Sequence, residues 1–172
     1  MCGAVAGVIV LAALVADTGS VPAGTPSEGG TGPIGDAVAA TVLLIVDGDT
    51  IGVEIDGRTE RVRYVGVDAP ELARDGTPAE CGGGEATEAN ERLVAGAELI
   101  LERDVSDRDR FGRLLRHPWV ASGDAWVLIS EELVASGAIE ARSYPPDTGR
   151  DDQLDAAERT ARAADAGIWG GC

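Results

Sequence analysis

The sequence contains no lysine, and all 14 of its basic residues are arginine. Acidic residues number 30, so the formal net charge is −16. Proteins that bind nucleic acids usually carry excess positive charge, because contacts to phosphates dominate their affinity. Composition alone therefore argues either against a nucleic-acid partner or for a protein that works in concentrated salt.

Concentrated salt removes the electrostatic objection. At about 1 M salt the Debye length is about 3 Å, so distant like charges hardly repel a charged partner. A surface rich in Asp and Glu and free of Lys resembles the composition of proteins from extreme halophiles. We therefore expect a halophilic protein in preference to a merely acidic one.

Aromatic residues, histidine and cysteine are also scarce. Aromatics make up 3% of the chain, so the core must consist mainly of Val, Leu, Ile and Ala. The three cysteines, Cys2, Cys81 and Cys172, include no CxxC pair, and His117 is the sole histidine. A zinc site needs about four such ligands, so none is expected. We interpret His117, beside Pro118, as a strand or surface residue, not a catalytic one.

The chain begins with a hydrophobic run and a linker. Residues 3–16 are apolar but shorter than the roughly 20 residues of a membrane span, which suits the apolar region of a signal peptide. We expect residues 1–16 to be a leader or an anchor, with Cys2 either unmodified or lipid-modified. Residues 17–38, rich in Gly, Pro, Ser and Thr, are expected to form a flexible linker. The protein is thus expected to be secreted or otherwise extracytoplasmic, with membrane contact only through this N-terminal segment.

Residues 39–172 have the pattern of one folded domain. Three apolar segments follow one another between Ala39 and Val67. The first is a continuous β-branched run, the second and third alternate, and the Asp56-Gly57 pair between these two is typical of a hairpin. These segments predict a meander of three antiparallel strands. Pro118, which has no N–H to donate, predicts an edge strand or a bulge in a later strand.

Three segments of the domain predict helices, over residues 84–94, 131–137 and 151–166. Strand patterns return between the first two of these helices. About five strands and three helices indicate an α+β fold with a mainly β core. An OB-type five-stranded β-barrel with helices packed around it is the expected solution.

Carboxylates cluster where two of the predicted strands end. Asp47 and Asp49 flank Gly48 after the first strand, and Asp68 and Glu71 follow the third. In a meander the ends of the first and third strands lie at the same edge, so Asp49 and Asp68 can converge. Oxygen ligands without Cys or His favour a hard cation such as Ca²⁺ or Mg²⁺. Taken alone, however, an Asp-Gly-Asp triplet is common in exposed turns.

Two arginines add to this cluster. Arg63 lies on the third strand, five residues before Asp68, and Arg113 ends the segment DRFGR. A cation site beside guanidinium groups is suited to phosphodiester cleavage, because the guanidinium binds phosphate oxygens in a bidentate manner. A second arginine can stabilise the charge of the transition state. Either arginine alone is better explained as a solvated strand residue paired with a carboxylate.

The combination of these motifs is specific. The run VDGDTIGVEIDG, then RVRYVGVDAPE, then DRFGR and a terminal GIWG resembles the staphylococcal nuclease (thermonuclease) family over residues 40–171. The resemblance implies an OB-type barrel with three helices and Ca²⁺-dependent hydrolysis of DNA or RNA to 3′-phosphate products. A monomeric protein is expected.

The resemblance also implies residue roles. Asp49 and Asp68 would be Ca²⁺ ligands together with the backbone carbonyl of Ala69, and Glu71 would be the general base. Arg63 and Arg113 would bind the scissile phosphate.

Supporting roles are implied for further positions. Asp47 and Thr50 would hold the ligand turn, and Tyr144 would contact the nucleotide. The resemblance further implies a disulfide between Cys81 and Cys172, which closes a loop of about 90 residues and contributes about 4–5 kcal/mol in the loop-entropy model. Such a bond needs an oxidising compartment.

Two alternatives remain open at this stage. One is a non-catalytic OB-fold module that binds single strands, although such a stacking surface needs more exposed aromatic residues than this chain has. The other is a Ca²⁺-stabilised envelope domain, in which Asp49 and Asp68 serve structure only and both arginines are dispensable.

Overall fold

The computed structural model describes residues 32–172, so the predicted leader (1–16) and the linker up to residue 31 lie outside the described residues. The strands are β1 (Ala37–Ile45), β2 (Thr50–Ile55), β3 (Arg58–Tyr64), β4 (Val67–Asp68), β5 (Glu98–Glu102), β6 (Leu114–Ser122), β7 (Ala125–Leu128) and β8 (Glu140–Ala141). The helices are α1 (Gly83–Val94), α2 (Ile129–Ala135), α3 (Asp151–Ala163) and a short α4 (Ile168–Gly171).

Five of the strands close into a barrel. β1, β2 and β3 form the predicted antiparallel meander, and the order continues from β1 through β5 to β6. β6 then pairs in parallel with β3, which closes the ring. Closure removes the free edges of the sheet, so the backbone donors and acceptors of these strands find partners. The predicted OB-type five-stranded barrel with three helices is confirmed.

The remaining elements lie outside this ring. β7 extends β6, and β4 and β8 form a separate two-stranded ribbon. α2 packs between β6 and α3, while α1 packs against α2 and β1. Within residues 32–172, no helix is long and apolar enough to cross a membrane.

The structure moves several of the predicted boundaries, including those of the second helix, which spans Ile129–Ala135 and not 131–137. β1 begins at Ala37, so the last two residues of the predicted 17–38 linker belong to a strand. Ala37 and Val38 lie opposite Glu102 and Leu101 of β5, and this pairing holds an otherwise weak strand sequence extended. α3 ends at Ala163, three residues earlier than predicted, and the additional helix α4 follows it.

Of the two predictions for Pro118, an edge strand or a bulge, the edge strand is wrong. It lies inside β6, opposite Leu101 of β5, and is buried. On the other side of β6, the register with β3 covers residues 114–116 and the register with β7 covers residues 119–122. Proline therefore falls in the gap between two neighbouring strands, where a missing N–H costs least.

The core is aliphatic, as the composition predicts, with a few large aromatic residues. Val62 and Tyr64 of β3 point inward and are almost fully buried, consistent with the alternation in the sequence. The Tyr64 hydroxyl donates to Asn90 Oδ1 of α1 at 2.9 Å, which satisfies a polar group that burial would otherwise leave unpaired. This contact ties the barrel to the helix beneath the predicted site.

His117 is buried in β6 with neither ring nitrogen hydrogen-bonded. The nearest carboxylate oxygen, Asp104 Oδ2, lies 3.7 Å from Nε2. Burial lowers the pKa of His117, although the charges of Glu102 and Asp104 oppose this effect. The folded protein therefore holds a neutral imidazole at neutral pH, as expected for a strand residue.

This burial predicts a pH dependence of stability. The unfolded chain binds the His117 proton with a pKa near 6.5, whereas the folded chain binds it only at lower pH. The stability contribution of the neutral ring is therefore complete above about pH 6.5. It is lost as pH falls from that value toward the folded pKa, by about 1.4 kcal/mol per pH unit.

The measurement is the free energy of unfolding of the wild type and His117→Gln between pH 8 and pH 5. Glutamine does not titrate, so the wild type should lose more stability than the variant below pH 6.5. Titration of the many carboxylates affects both proteins alike and cancels in the difference. Parallel curves through this range would contradict the prediction.

Candidate active site

The turn between β1 and β2 carries the first carboxylates. The Val46 N–H donates to the Thr50 carbonyl at 3.0 Å, and the Asp49 N–H donates to Asp47 Oδ1 at 3.1 Å. At Gly48, a Cβ atom would lie only 2.8 Å from the Cβ atoms of both Ala69 and Ala86. Only glycine lets the turn approach this closely, so Gly48 sets the distance between the turn and the segment around Asp68.

A buried asparagine supports the same turn. Asn90 of α1 donates from Nδ2 to the Asp47 carbonyl at 2.9 Å while its Oδ1 accepts from Tyr64. Asp47 thus shapes the turn through its side chain and anchors it through its carbonyl. The only signal for Asn90 in the sequence is a polar residue on the buried face of α1.

Asp49 is the most buried carboxylate of the cluster, with 5% of its surface exposed. Its Oδ1 accepts from the Thr50 hydroxyl at 3.0 Å, and its Oδ2 accepts from the Ala69 N–H at 2.9 Å. Burial raises the pKa of Asp49 to about 7, the Arg63 guanidinium lowers it, and the charge of Asp47 raises it. An anion at this position therefore depends on nearby positive charge.

Arg63 brings the two predicted ligands together. Its Nη2 lies 3.0 Å from Asp49 Oδ2 and 3.1 Å from Asp68 Oδ1, and its Nη1 donates to the Tyr64 carbonyl at 2.7 Å. The end of β3 carries the arginine, and the β4–β8 ribbon carries Asp68. The convergence of Asp49 and Asp68 expected from the meander is therefore present.

This donor set fits a hard cation in part. Asp49 and Asp68 each direct an oxygen at one positively charged nitrogen, which marks a position of negative potential between them. Across residues 32–172, no group of three or more His, Cys, Asp or Glu side chains is placed to hold a metal ion. An ion held by two carboxylates would complete its shell with backbone carbonyls and water, as Ca²⁺ and Mg²⁺ commonly do.

Arg113 lies on the wall of the same site. Its Nε donates to Asp109 Oδ2 at 2.7 Å, and its Nη1 lies 3.4 Å from Thr50 Oγ1. Asp109 Oδ1 also accepts from the N–H groups of Phe111 and Arg113, which closes the turn DRFGR around the guanidinium. Asp109 was missed at the sequence level, although an Asp followed by a Gly-containing turn is a recognised turn signal.

Glu71 belongs to a loop that is closed at its base. The Glu80 N–H donates to the Glu71 carbonyl at 2.9 Å, and the Glu71 N–H donates to Glu80 Oε2 at 3.0 Å. At Gly83, a Cβ atom would lie 2.7 Å from the Glu71 carbonyl oxygen, so the start of α1 packs directly on this backbone. The Glu71 side chain is exposed and lines the site cavity.

The loop is also fastened to the C-terminus. Cys81 and Cys172 are joined by a disulfide with a Cα–Cα distance of 5.8 Å and a sequence separation of 91 residues. Cys81 directly follows Glu80, the residue that closes the Glu71 loop. The disulfide pairing expected from the family resemblance is therefore present in the structure.

Tyr144 lies next to the site without entering it. Burial and the charge of Asp68 raise the pKa of Tyr144, while 42% of its surface remains exposed. Arg142, at 5.7 Å from the Tyr144 ring centre, donates from Nη1 to Asp68 Oδ2 at 2.6 Å. The second oxygen of a predicted ligand is thus held by a third arginine, which no sequence pattern singles out.

These residues surround one cavity of about 250 Å³. The charged side chains in its lining are four carboxylates and four guanidinium groups. They are Asp47, Asp49, Asp68, Glu71, Arg61, Arg63, Arg74 and Arg113. The cavity is therefore close to neutral, although the whole chain carries a charge of −16.

Comparison with known proteins adds a family match. Residues 61–171 match the model of the staphylococcal nuclease homologue family. Thermonuclease from Staphylococcus hyicus is 31% identical over 128 residues, which cover 74% of this chain and 73% of that protein. Thermonuclease from Staphylococcus intermedius is 32% identical, with 74% of each chain covered. Endonuclease YncB from Bacillus subtilis is 35% identical over 77% of this chain and 62% of its own length.

Proposed function

The chain belongs to the staphylococcal nuclease family, and we propose that it is a Ca²⁺-dependent endonuclease that hydrolyses DNA or RNA to 3′-phosphate products. It is a phosphodiester-cleaving hydrolase of this family. The observation that carries the finer proposal is the convergence of Asp49 and Asp68 beside Arg63, Arg113 and Glu71 in one cavity.

The proposed reaction is an in-line displacement at phosphorus. Glu71, on the cavity wall, accepts a proton from the attacking water as the new P–O bond forms. The P–O5′ bond then breaks, the 5′ oxygen takes up a proton, and the phosphate remains on the 3′ oxygen. Arg63 and Arg113 bind the non-bridging oxygens, whose charge grows in the transition state.

A divalent cation would be held by Asp49 and Asp68, with the Ala69 carbonyl as the proposed third protein ligand. When bound, the ion supplies Lewis-acid neutralisation of a phosphate oxygen. Thr50 and Asp47 position Asp49 through the contacts of the turn. Arg63 at present pairs with both carboxylates, so the ion and the guanidinium would share the same negative charge.

The overall acidity of the chain does not preclude a polyanionic substrate. The four guanidinium groups around the cavity balance its four carboxylates, and a bound divalent cation would make the cavity positive. We propose that the remaining acidic surface reflects work at high salt, where the Debye length is about 3 Å at 1 M. The Cys81–Cys172 disulfide supports an extracytoplasmic site of action, because such bonds persist in oxidising compartments.

The experiment is cleavage of DNA and RNA by the purified protein, with Ca²⁺ or with EGTA, from low to molar salt. We expect cleavage only with Ca²⁺ and 3′-phosphate ends on the products. Glu71→Gln should lower kcat by about 10²–10⁴-fold, the usual contribution of general base catalysis. Glu91→Gln, an exposed residue of α1, removes the same charge outside the cavity and should leave kcat unchanged.

The outcomes separate the alternatives. Binding of nucleic acid without cleavage at any salt concentration would favour the non-catalytic module. Stabilisation by Ca²⁺ without binding or cleavage would favour a Ca²⁺-stabilised envelope domain. Equal activity of Glu71→Gln and the wild type would remove Glu71 from the mechanism while leaving the nuclease assignment intact.

A further inference from the structure

The arginines of this protein fall into two groups. Nine of the fourteen form a salt bridge with a carboxylate, as expected for a chain with 30 acidic residues. Five have no carboxylate within salt-bridge distance in the part of the chain that the structure describes. These five are Arg58, Arg61, Arg74, Arg110 and Arg159. Two of them, Arg61 and Arg74, line the cavity that holds Asp49 and Asp68.

Arg61 extends the row begun by Arg63. Both lie on β3 with one residue between them, so their side chains leave the same face of the strand, about 6–7 Å apart along it. Gly52 of β2 is directly opposite Arg61, so no side chain faces the guanidinium from that strand. The spacing is comparable with the distance between successive phosphates of an extended single strand. Arg61 is therefore placed to meet the phosphate next to the one that Arg63 would bind.

Arg74 lines the cavity from the loop between Glu71 and Glu80, where two backbone hydrogen bonds hold it in a tight turn. Its N–H donates to the Thr77 carbonyl at 3.1 Å, and the Thr77 N–H donates to the Arg74 carbonyl at 2.8 Å. Asp75 and Gly76 between them both have positive φ, which makes a tight two-residue turn. The turn presents Arg74 three residues beyond Glu71 on a loop already closed at Glu80. An arginine that is held by its backbone at a cavity wall, and whose guanidinium has no carboxylate partner, is suited to an external anion.

We propose that Arg61 and Arg74 bind the phosphates of nucleotides flanking the scissile one, and so select a polynucleotide strand over an isolated phosphodiester. This inference rests on the proposed nuclease function, because it assigns the neighbouring subsites of the same cavity. Arg63 and Arg113 serve the reacting phosphate, and Arg61 and Arg74 serve phosphates that do not react. Arg61 and Arg74 therefore contribute the same binding energy in the ground state and in the transition state. Their loss should raise KM and leave kcat unchanged.

The test is the double variant Arg61→Gln/Arg74→Gln, with Arg58→Gln/Arg159→Gln as the control. The control removes two equally unpaired arginines that do not line the cavity, so the net charge changes by the same amount. For a single-stranded oligonucleotide at low salt, we expect the test variant to raise KM by about tenfold or more, with kcat within about twofold of the wild type. Cleavage of bis(p-nitrophenyl) phosphate, which has one phosphate only, should be unchanged.

Binding provides a readout independent of catalysis. The Kd of a fluorescent oligonucleotide is measured in EGTA as salt increases, for wild type, test variant and control. Loss of two phosphate contacts should reduce the slope of log Kd against log salt by about 1.4, because each contact to a single strand contributes about 0.7. The control variant should keep the wild-type slope.

The negative outcomes are distinct. A test variant that matches the control in KM and in salt slope overturns the subsite assignment, and so does a wild type that binds no oligonucleotide. An equal loss of activity on bis(p-nitrophenyl) phosphate overturns it as well, because the arginines would then act at the reacting phosphate. Binding that depends on Arg61 and Arg74 without any cleavage would refute the nuclease function but retain the phosphate subsites. Thermal midpoints within about 2 °C show that all variants fold.

Discussion

Arg63→Gln is expected to abolish most activity and to destabilise the protein at the same time. The guanidinium is one of two charges proposed to stabilise the transition state, so its loss should lower kcat/KM by about 10²–10³-fold. Asp49 is buried and would be left with the Ala69 N–H and the Thr50 hydroxyl as its remaining partners. Breaking a buried ion pair from one side costs about 3–5 kcal/mol. Protonation of Asp49 would limit this cost.

The stability effect should respond to metal. In the variant, Asp49 has no guanidinium partner and Asp68 keeps only Arg142, so a divalent cation becomes the main compensating charge between the two carboxylates. Ca²⁺ should therefore raise the thermal midpoint of Arg63→Gln more than that of the wild type. Differential scanning calorimetry with Ca²⁺ and with EGTA measures this directly. A midpoint shift equal in the two proteins would show that these carboxylates do not hold the ion.

Two control variants separate stability from catalysis. Arg116→Gln, a change in β6, breaks the partly buried ion pair with Asp107 of the preceding loop and should destabilise the protein while the folded fraction keeps its kcat. Arg63→Lys keeps the charge but loses the two-pronged geometry of the guanidinium. It should recover stability better than activity. Full activity in Arg63→Lys would mean that only charge, not bidentate binding, is needed at this position.

Removal of the Cys81–Cys172 disulfide is expected to have the second largest effect. The bond closes a loop of 91 residues, so the double variant Cys81→Ser/Cys172→Ser should lose about 4–5 kcal/mol in the loop-entropy model. Urea unfolding of the wild type with and without reductant, compared with the double variant, measures the difference. The reduced wild type and the variant should agree. A free energy of unfolding unchanged by both treatments would contradict the prediction.

The same variant should lose catalytic rate in its folded form. Cys81 follows Glu80, whose N–H and carboxylate hold both backbone groups of Glu71. Release of Cys81 loosens the base of the loop that carries the proposed general base and Arg74. We expect a lower kcat and a higher KM for polynucleotide under conditions where the variant remains folded. Equal kinetics would show that the backbone contacts of Glu80 and the packing of Gly83 suffice to position the loop.

Much of the site was predictable because its residues follow elements that local patterns identify. The alternation in β2 and β3 and the Asp-Gly turn between them predict a meander, and a meander places the ends of its first and third strands together. That placement explains why Asp49 and Asp68 converge and why Arg63, near the end of β3, lies beside them. The family motifs then implied Arg113, Glu71 and the disulfide, which the cavity and the Cys81–Cys172 bond place around the same region.

Other features depend on contacts that local patterns do not encode. The local pattern predicts that Pro118 lies at an edge or a bulge. It lies within the barrel strand β6, at the point where β7 replaces β3 as the neighbour on one side of that strand. Ala37 and Val38 had linker composition and became strand because β5 supplies their partners. Asn90, Asp109 and Arg142 support the site through side chains that meet it only after the chain has closed.

The sequence by itself determined the order of strands, the positions of the charged residues and the excess of negative charge. Local propensity and alternation act over a few residues, and the motifs are contiguous, so both can be recognised without a fold. Only the tertiary structure decided which of the fourteen arginines would have carboxylate partners and which would face the cavity. That outcome depends on distances between residues far apart in the chain. The folded chain therefore has a nearly neutral, arginine-lined site although its net charge is −16.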